Sequence, residues 1–440
     1  MTTKGQPDLL ATACSETAAP NVGQTARRRI ILLSTPASYR GSSFMDAASA
    51  LEIDVLHAID MPSSLAEHWQ MTLGLDFTRP YHAAEELAAF VATNPVDAII
   101  AIDDSATLLA AAASAAVGLP HNDPNSALAA RDKFVMREAL RAGSVRVPKY
   151  ERYSLASDPA KIAAHLTFPV VVKPLQLSGS RGVIRANNRV EFVAAFARTK
   201  RLLVSDGHAA GETSVLVEHY LPGEEVALEG LLTRGRLRVL ALFDKPDPLV
   251  GPFFEETIYV TPSRHPQSVQ DAIAETTAAA AAALGLREGP VHAELRINDE
   301  GIWPIELAGR SIGGLCSTIL EFGSGMSLEE IILRHALGLA IPSTERSGGA
   351  AGVMMIPIPR GGVLRAVEGQ DEALAVPGVT GIEISSKLNY PLVPLPEGAS
   401  YLGFIFSRGE IPADVEQALR EAHARLTIKI DPLIPLTTTS

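Results

Sequence analysis

The apolar residues of this chain change their spacing partway along it, and that change limits the folds open to it. Arg29-Ile-Ile-Leu-Leu-Ser34, Ile53 to Ile59 and Val96 to Ile102 are short apolar runs separated by segments of helical length. Strands that alternate with helices pair in parallel, because each crossover helix returns the chain to the same end of the sheet. Thr35-Pro36 breaks the first run and Asp103-Asp104 closes the third. The alanine-rich helix that follows stops at Gly118-Leu119-Pro120, where Gly and Pro end it. From Val147-Pro148 onward the runs become short, β-rich and punctuated by glycine, as in Phe168 to Pro174, Val215 to His219 and Val226 to Leu232. That is the texture of an antiparallel α+β region.

Between these textures, Leu128, Phe134, Val135 and Leu140 fall on a helical period within Ser126 to Gly143. Ser126 suits the start of that helix and Gly143 its end, with Lys133 inside it. Ser327-Leu328-Glu329-Glu330 is a capping box that opens a helix ending near Gly338. The Pro342 to Gly349 stretch after it is rich in Ser and Gly and reads as a boundary. Four regions are expected: a loose tail over residues 1–28, an N-terminal parallel α/β domain over 29–125, a central α+β region over 126–342, and a separate C-terminal α+β domain over 350–434. The last carries strands at Val353 to Ile358, Thr380 to Ile384 and Tyr401 to Ser407 and a helix near Asp414 to Leu426.

Bulk chemistry removes several function classes. A chain of 440 residues, 47% of them hydrophobic and 20% charged, is long enough for two or three cores. Its net charge of −12 opposes binding to a phosphate backbone, which needs a basic surface, so no nucleic-acid partner is expected. Cys14 and Cys316, its two cysteines, make no disulfide framework and have no metal-ligand neighbours. The tail lacks an apolar signal core and carries Asp8 and Glu16. The alanine-rich stretches Leu108 to Val117 and Ala278 to Leu286 are shorter than the roughly 20 residues that a membrane helix requires. These features predict a cytoplasmic protein with no membrane partner.

Four segments carry chemistry. Phe168-Pro169-Val170-Val171-Val172-Lys173-Pro174 exports one ammonium from an apolar strand, and Ser178-Gly179-Ser180-Arg181-Gly182-Val183 follows it. Glycines let backbone N–H groups approach phosphate oxygens, Ser180 adds a hydroxyl and Lys173 a point charge. By itself the segment reads equally as a tight hairpin with a solvated lysine. Val215-Leu216-Val217-Glu218-His219-Tyr220-Leu221 runs into Pro222-Gly223-Glu224-Glu225. A strand leaving through such a hinge offers N–H and C=O to a purine edge, and Glu225 can accept from ribose hydroxyls; an ordinary edge hairpin is the competing reading. Asp244-Lys245 and Phe253-Phe254-Glu255-Glu256 lie in a Pro- and Gly-rich stretch that either covers a bound substrate or is a plain surface loop.

The fourth segment is the most specific. Gly289 to Arg296 and Trp303 to Arg310 are apolar strands joined by the turn Asn298-Asp299-Glu300-Gly301. With the turn centred there, Glu294 and Glu306 face each other across the pair. Like charges directly opposite repel unless a cation lies between them. Oxygen ligands without a Cys or His cluster select Mg²⁺ or Mn²⁺. Arg310 adds a fixed positive charge for a developing phosphoryl or acyl-phosphate group. A solvated hairpin face is the alternative. His292 reads as a packed or supporting residue and Cys316 as a buried thiol.

In order and spacing these elements resemble the ATP-grasp superfamily across roughly residues 30 to 340. The matching pieces are Arg131-Asp132-Lys133, Val171-Val172-Lys173-Pro174, the Ser178 to Gly182 loop, Val217 to Leu221, His292-Ala293-Glu294 and Ile305-Glu306 through Arg310. The resemblance implies an α/β plus α+β architecture in which two α+β subdomains clasp ATP, with a lid at about residues 150–220. It implies that Lys133, Lys173, Ser178, Gly179, Ser180 and Gly182 meet the phosphates, that Glu218, His219 and Leu221 meet adenine, and that Glu225 meets ribose. Glu294 and Glu306 would hold the metal, Lys173 and Arg310 would be catalytic, and Glu255, Glu256 and Arg296 are assigned to substrate. Ala308 departs from the usual Glu-x-Asn-x-Arg pattern and removes one oxygen ligand. Gly361 to Arg365, Pro377-Gly378-Val379 and Tyr401 to Gly409 are similar to the C-terminal domain of L-amino-acid ligases, which form dipeptides and are often homodimers.

The expected activity is an ATP- and Mg²⁺-dependent ligase that joins a small carboxylate to an amine through an acyl phosphate, releasing ADP and phosphate. A bicarbonate-using carboxylase or carbamoyl-forming enzyme and a non-catalytic ATP-binding protein are the alternatives.

Overall fold

The computed structural model describes residues 27–433; residues 1–26 of the expected tail, and Cys14 with them, lie outside the described residues. The N-terminal apolar runs become the parallel strands β1 (Arg29–Ser34), β2 (Asp54–Asp60), β3 (Leu73–Leu75) and β4 (Ala98–Ala101), in the order β3-β2-β1-β4. Ile30 to Leu33 are fully buried, as a parallel strand covered on both faces by helices must be. Only β3 was not legible as a strand, being three residues long.

The expected helix over Ser126 to Gly143 is two helices, Pro124–Arg131 and Lys133–Ala142. Asp132 separates them: its backbone is extended, and its side chain accepts from the N–H groups of Phe134 and Val135. Asp123, not Ser126, caps the first helix by accepting from Asn125. The break places Lys133 at the first position of a new helix rather than inside an old one, which sends its ammonium into the central cavity.

Strands β5 (Tyr150–Ser154), β6 (Val170–Pro174), β7 (Ile184–Ala186) and β8 (Ser214–His219) form an antiparallel sheet in the order β5-β8-β6-β7. The helix Arg189–Ser205 packs on it through Phe192, Phe196 and Leu203. Strands β9 (Glu224–Thr233), β10 (Arg236–Lys245), β11 (Ile258–Thr261), β12 (Gly289–Asn298) and β13 (Gly301–Ala308) make the centre. Beyond them lie β14 (Ala350–Ile356), β15 (Gly362–Glu368), β16 (Val379–Glu383), β17 (Pro391–Leu392), β18 (Gly403–Gly409) and β19 (Thr427–Asp431).

The C-terminal region is not set apart from the centre. One eight-stranded sheet runs β13-β12-β9-β10-β11-β14-β18-β16, with Val260 opposite Gly352 and Met354 opposite Ile405. The Ser/Gly-rich stretch before Ala350 crosses a strand pairing that no local signal reveals. β15, β17 and β19 form a small sheet of their own. One apolar core joins Ile30 and Phe44 of the N-terminal domain, Phe243 and Tyr259 of the centre, and Val353 and Phe404 of the C-terminal strands.

Phe404 is fully buried in that core and meets Tyr39, Tyr401 and Phe406. Phe404→Ala is expected to lower the unfolding free energy by about 3–5 kcal/mol in urea titration. Hydrogen exchange should rise in β10 and β11 as well as in residues 350–431; a rise confined to the latter would mean that the shared sheet does not couple them.

Candidate active site

A cavity of about 590 Å³ opens where the sheets meet. Its walls are Thr35 to Arg40 and Asp103 to Ser105 from the ends of β1 and β4, Lys173, Ser178 to Ser180 and Glu218 to Leu221 from the β5–β8 sheet, Glu294 and Glu306 from the central hairpin, and Ala399 and Tyr401 from the C-terminal region. Loops at the carboxyl ends of parallel strands are where such folds place ligands.

β6 and β8 are antiparallel neighbours, with Val171 opposite Glu218. Glu218 is buried and pairs with the Lys173 ammonium, while Arg137 Nε donates to its second oxygen at 2.9 Å. Burial alone would raise the Glu218 carboxyl; Arg137 and Lys173 outweigh it and bring it down to about 2. Burial lowers Lys173 from its ordinary value, against the pull of Glu218. The Glu218 carboxylate is thus engaged with two cations, the N–H groups of His219 and Tyr220 donate to Lys149 O and Pro169 O, and residues 218–221 line the cavity. Lys133 Nζ donates to Leu177 O at 2.7 Å and lies 3.4 Å from a Glu306 oxygen.

Gly179, Ser180 and Gly182 all take left-handed backbone angles, which wrap the loop tightly after Lys173. Ser178, Gly179 and Ser180 line the cavity; Gly182 does not. A Cβ on Gly182 would stand 2.6 Å from the Pro174 ring, and its N–H donates to Pro396 O. Its glycine serves close packing rather than a phosphate.

In the central hairpin Glu294 pairs with Glu306, as the turn position required, and an irregularity after Glu294 shifts the register by one. Oxygens of Glu225, Glu256 and Glu294 lie within 4.8 Å of one another. The Lys245 ammonium sits among them, 2.9 Å from Glu225, 2.5 Å from Glu256 and 3.4 Å from Glu294. Burial, then the charge of Glu294, pushes Glu256 up to about 7. Burial also works against the Glu294 charge, but Lys245 and His292 hold that carboxyl well below its ordinary range. His292 bridges Glu229, 3.2 Å from Nδ1, to Glu294, 3.7 Å from Nε2. With its imidazole turned to two carboxylates, the donor set is all oxygen, which fits a hard divalent cation and not a thiolate-seeking one.

Three assignments from sequence change. Glu255 does not line the cavity, whereas Glu256 does. Arg296 reaches the cavity wall, but its guanidinium is spent on Glu225 Oε2, Leu221 O and Leu249 O, so it braces the hinge. Glu225 accepts from Lys245 and Arg296, which occupy both of its oxygens. Arg310 does face the cavity, donating to Asp104 Oδ2 at 2.6 Å and Ser311 O at 2.8 Å. Its charge opposes burial, and Asp104 secures it.

Sequence reasoning missed Arg137, Arg40 and Asp104 as members of the site, and marked Lys245 only as part of a stretch that either covers a substrate or is a surface loop. Arg137 was findable, since it lies one helical turn from Lys133 on the same face. The pair Asp103-Asp104 at the end of an apolar strand was a second signal. Asp103 accepts from Thr35 N and Ser38 Oγ and so fixes the first loop over the cavity. Cys316 is buried beside Met355 at 3.8 Å, and burial pushes its thiol up.

With this geometry stands a match in sequence. Residues 166–319 match the ATP-grasp domain, residues 45–121 the ATP-grasp N-terminal domain, and residues 354–431 the L-amino acid ligase C-terminal domain 2. The chain contains an ATP-grasp domain. ATP-grasp proteins generally bind ATP with Mg²⁺ or Mn²⁺. The match from 166 to 319 contains Lys173, Glu218, Glu294, Glu306 and Arg310, while Lys133 and Tyr401 reach the same ATP-grasp cavity from outside it.

Among relatives, the uncharacterized protein y4rH of Sinorhizobium fredii is 26% identical over 72% of this chain and 65% of its own length. Dapdiamide A synthase of Enterobacter agglomerans is 28% identical over 51% of this chain and 53% of its own. Alanine–anticapsin ligase of Bacillus subtilis is 26% identical over 57% and 56%. The chain thus spans between about half and two thirds of the length of these relatives. The fold of an L-amino acid ligase from Bacillus licheniformis superposes with a TM-score of 0.78 at 23% identity, covering 92% of this chain and 99% of that one. Among the described residues no helix is long and apolar enough to cross a membrane.

Glu218→Gln leaves two buried cations without their partner and is expected to cost on the order of 3–5 kcal/mol, read by urea denaturation at neutral pH. Because the folded Glu218 carboxyl lies at about 2, below its ordinary 4.5, its contribution is full above 4.5 and is lost as pH falls toward 2. Thermal melts between those values should show a shallower pH slope in Glu218→Gln than in the native protein.

Proposed function

We propose that this chain is an ATP-dependent carboxylate–amine ligase that works through an acyl phosphate and takes amino acids as its substrate class. The observation that carries the reading is the convergence of Lys133, Lys173, Glu294, Glu306 and Arg310 on one cavity whose other walls come from the N- and C-terminal regions. Such a cavity offers both cations and carboxylates to a ligand, and its volume lies in the range of small-molecule sites. The names of relatives that join amino acids, alanine–anticapsin ligase and D-alanine–D-alanine ligase, support the same class.

In this reading the Ser178 to Ser180 backbone, Lys133 and Lys173 hold the phosphates, and the backbone from Glu218 to Leu221 holds adenine. Glu294 and Glu306, with Glu256 beside them, would hold a divalent cation, which when bound neutralises charge on the phosphates. A substrate carboxylate oxygen attacks the γ-phosphorus of ATP and ADP leaves. Arg310, fixed by Asp104, faces the negative charge that develops. The amine nitrogen then attacks the acyl carbon, phosphate leaves, and the amine gives up a proton; Glu256, a carboxylate that lines the cavity, would receive it. No covalent enzyme intermediate is needed, so positioning and exclusion of water do the work, with residues 150–220 as the lid. Acting on ATP and free amino acids, the protein belongs in the cytoplasm.

Phosphate release should be measured with ATP and Mg²⁺ across single amino acids, amino-acid pairs and bicarbonate. Release that requires a pair, with a dipeptide detected by mass spectrometry, is the expected result; release with bicarbonate alone would replace this reading with a carboxylase. Glu294→Gln and Lys173→Ala should each lower the rate by at least about 10²-fold with circular dichroism unchanged, and full activity in either would remove these residues from the mechanism. Light scattering in solution decides between a monomer and the homodimer that the resemblance implies.

A further inference from the structure

The far side of the glycine loop is held by a part of the chain more than two hundred positions away. Arg181 Nε donates to Glu397 O at 2.7 Å, and the Gly182 N–H donates to Pro396 O at 2.8 Å. The Glu397 carboxylate accepts both arms of Arg198, at 2.5 and 2.8 Å, from the helix Arg189–Ser205 behind the loop. On the lid's own side, Asp206 accepts the remaining two nitrogens of Arg181, and Gly182 O accepts from Thr199 Oγ1. The loop end is therefore gripped from two directions. Just past Glu397 the chain sends Ala399 and Tyr401 into the cavity and enters β18 of the shared sheet. Lid loop, cavity wall and central sheet are linked within a few residues.

We infer that Glu397 is a positioning residue for the phosphate-holding loop: the turn from Pro394 to Ala399 latches Ser178–Gly182 over the cavity through Arg181, Arg198 and Gly182. This rests on the reading that the loop holds the phosphates of ATP. Both members of the Arg198–Glu397 pair are about 40% exposed, at 39% and 40%, where an isolated ion pair contributes little. Its effect comes from the two-armed geometry and from the two backbone-oxygen contacts that it orients. Arg198 lowers the Glu397 carboxyl from its ordinary value, so the pair is ionised at neutral pH. A latched loop keeps water from the acyl carbon. With the latch broken, water attacks the acyl phosphate in place of the amine, returning the carboxylate and releasing phosphate without product.

The test uses Arg198→Glu, Glu397→Arg and the double exchange in the full chain. Hydrogen exchange over residues 176–184 is read without turnover, together with ATP affinity by calorimetry and product formed per phosphate released. Each single variant should raise loop exchange and weaken ATP binding about two- to fivefold, the range a half-exposed pair supports. Each should also lower product per phosphate, and the double exchange should recover all three. Unchanged exchange in the singles, or a double variant no better than the singles, overturns the latch. If no substrate pair is turned over at all, exchange and calorimetry still decide it, so failure of the ligase reading is told apart from failure of the latch.

Discussion

Arg137 is one fully buried side chain that three elements share. From the helix Lys133–Ala142 it donates to Glu218 on β8 and to the backbone oxygen of Ile305 on β13. It thereby ties the β5–β8 sheet to the β12–β13 hairpin across the cavity. Its Nε and Nη2 are given to protein acceptors, as buried donors require, and these acceptors belong to opposite walls of the cavity. Lys173 completes the arrangement as the second cation on Glu218. The spacing between Lys173 and the Glu294–Glu306 pair is therefore set from below, by a charge that cannot be moved without leaving another unpaired.

The upper part of the site is built on the same rule with the signs exchanged. Around Lys245, the carboxylates Glu225, Glu256 and Glu294 crowd so closely that one of them, Glu256, is pushed toward neutrality while Glu294 stays charged. The cation that holds Glu294 at rest, Lys245, and the histidine that bridges it to Glu229 come from strands of the same sheet. A change in strand register would separate them all together.

Much of the candidate site was readable because its residues lie near strand ends or turns. The positions of Glu294 and Glu306 followed from a turn and a period of two, and the pairing stands in the structure despite the irregularity beside it. Lys173 and its glycine loop were visible as composition. Gly182 and Glu255 lie off the cavity and Arg296 turns its guanidinium to the hinge for one reason: composition marks a residue as capable of contact, whereas the direction of its side chain depends on what packs against it. Lys245, Arg40 and Asp104 gave weak signals because each acquires its partner from a distant element.

By itself the sequence determined the local grammar of this protein: parallel strands before residue 125, antiparallel ones after residue 147, a capped helix at Ser327, and a hairpin that brings two glutamates face to face. These follow from propensities and periods that act over a few residues. Only the tertiary structure decided that the C-terminal strands continue the central sheet, that Asp132 splits one helix into two, and that a turn near Glu397 grips the glycine loop. Edge strands carry no mark of which partner will complete their hydrogen bonds, and a charged side chain carries none of which opposite charge will share its burial. Those choices are made by the shape of the whole core, when distant segments compete for the same apolar surface.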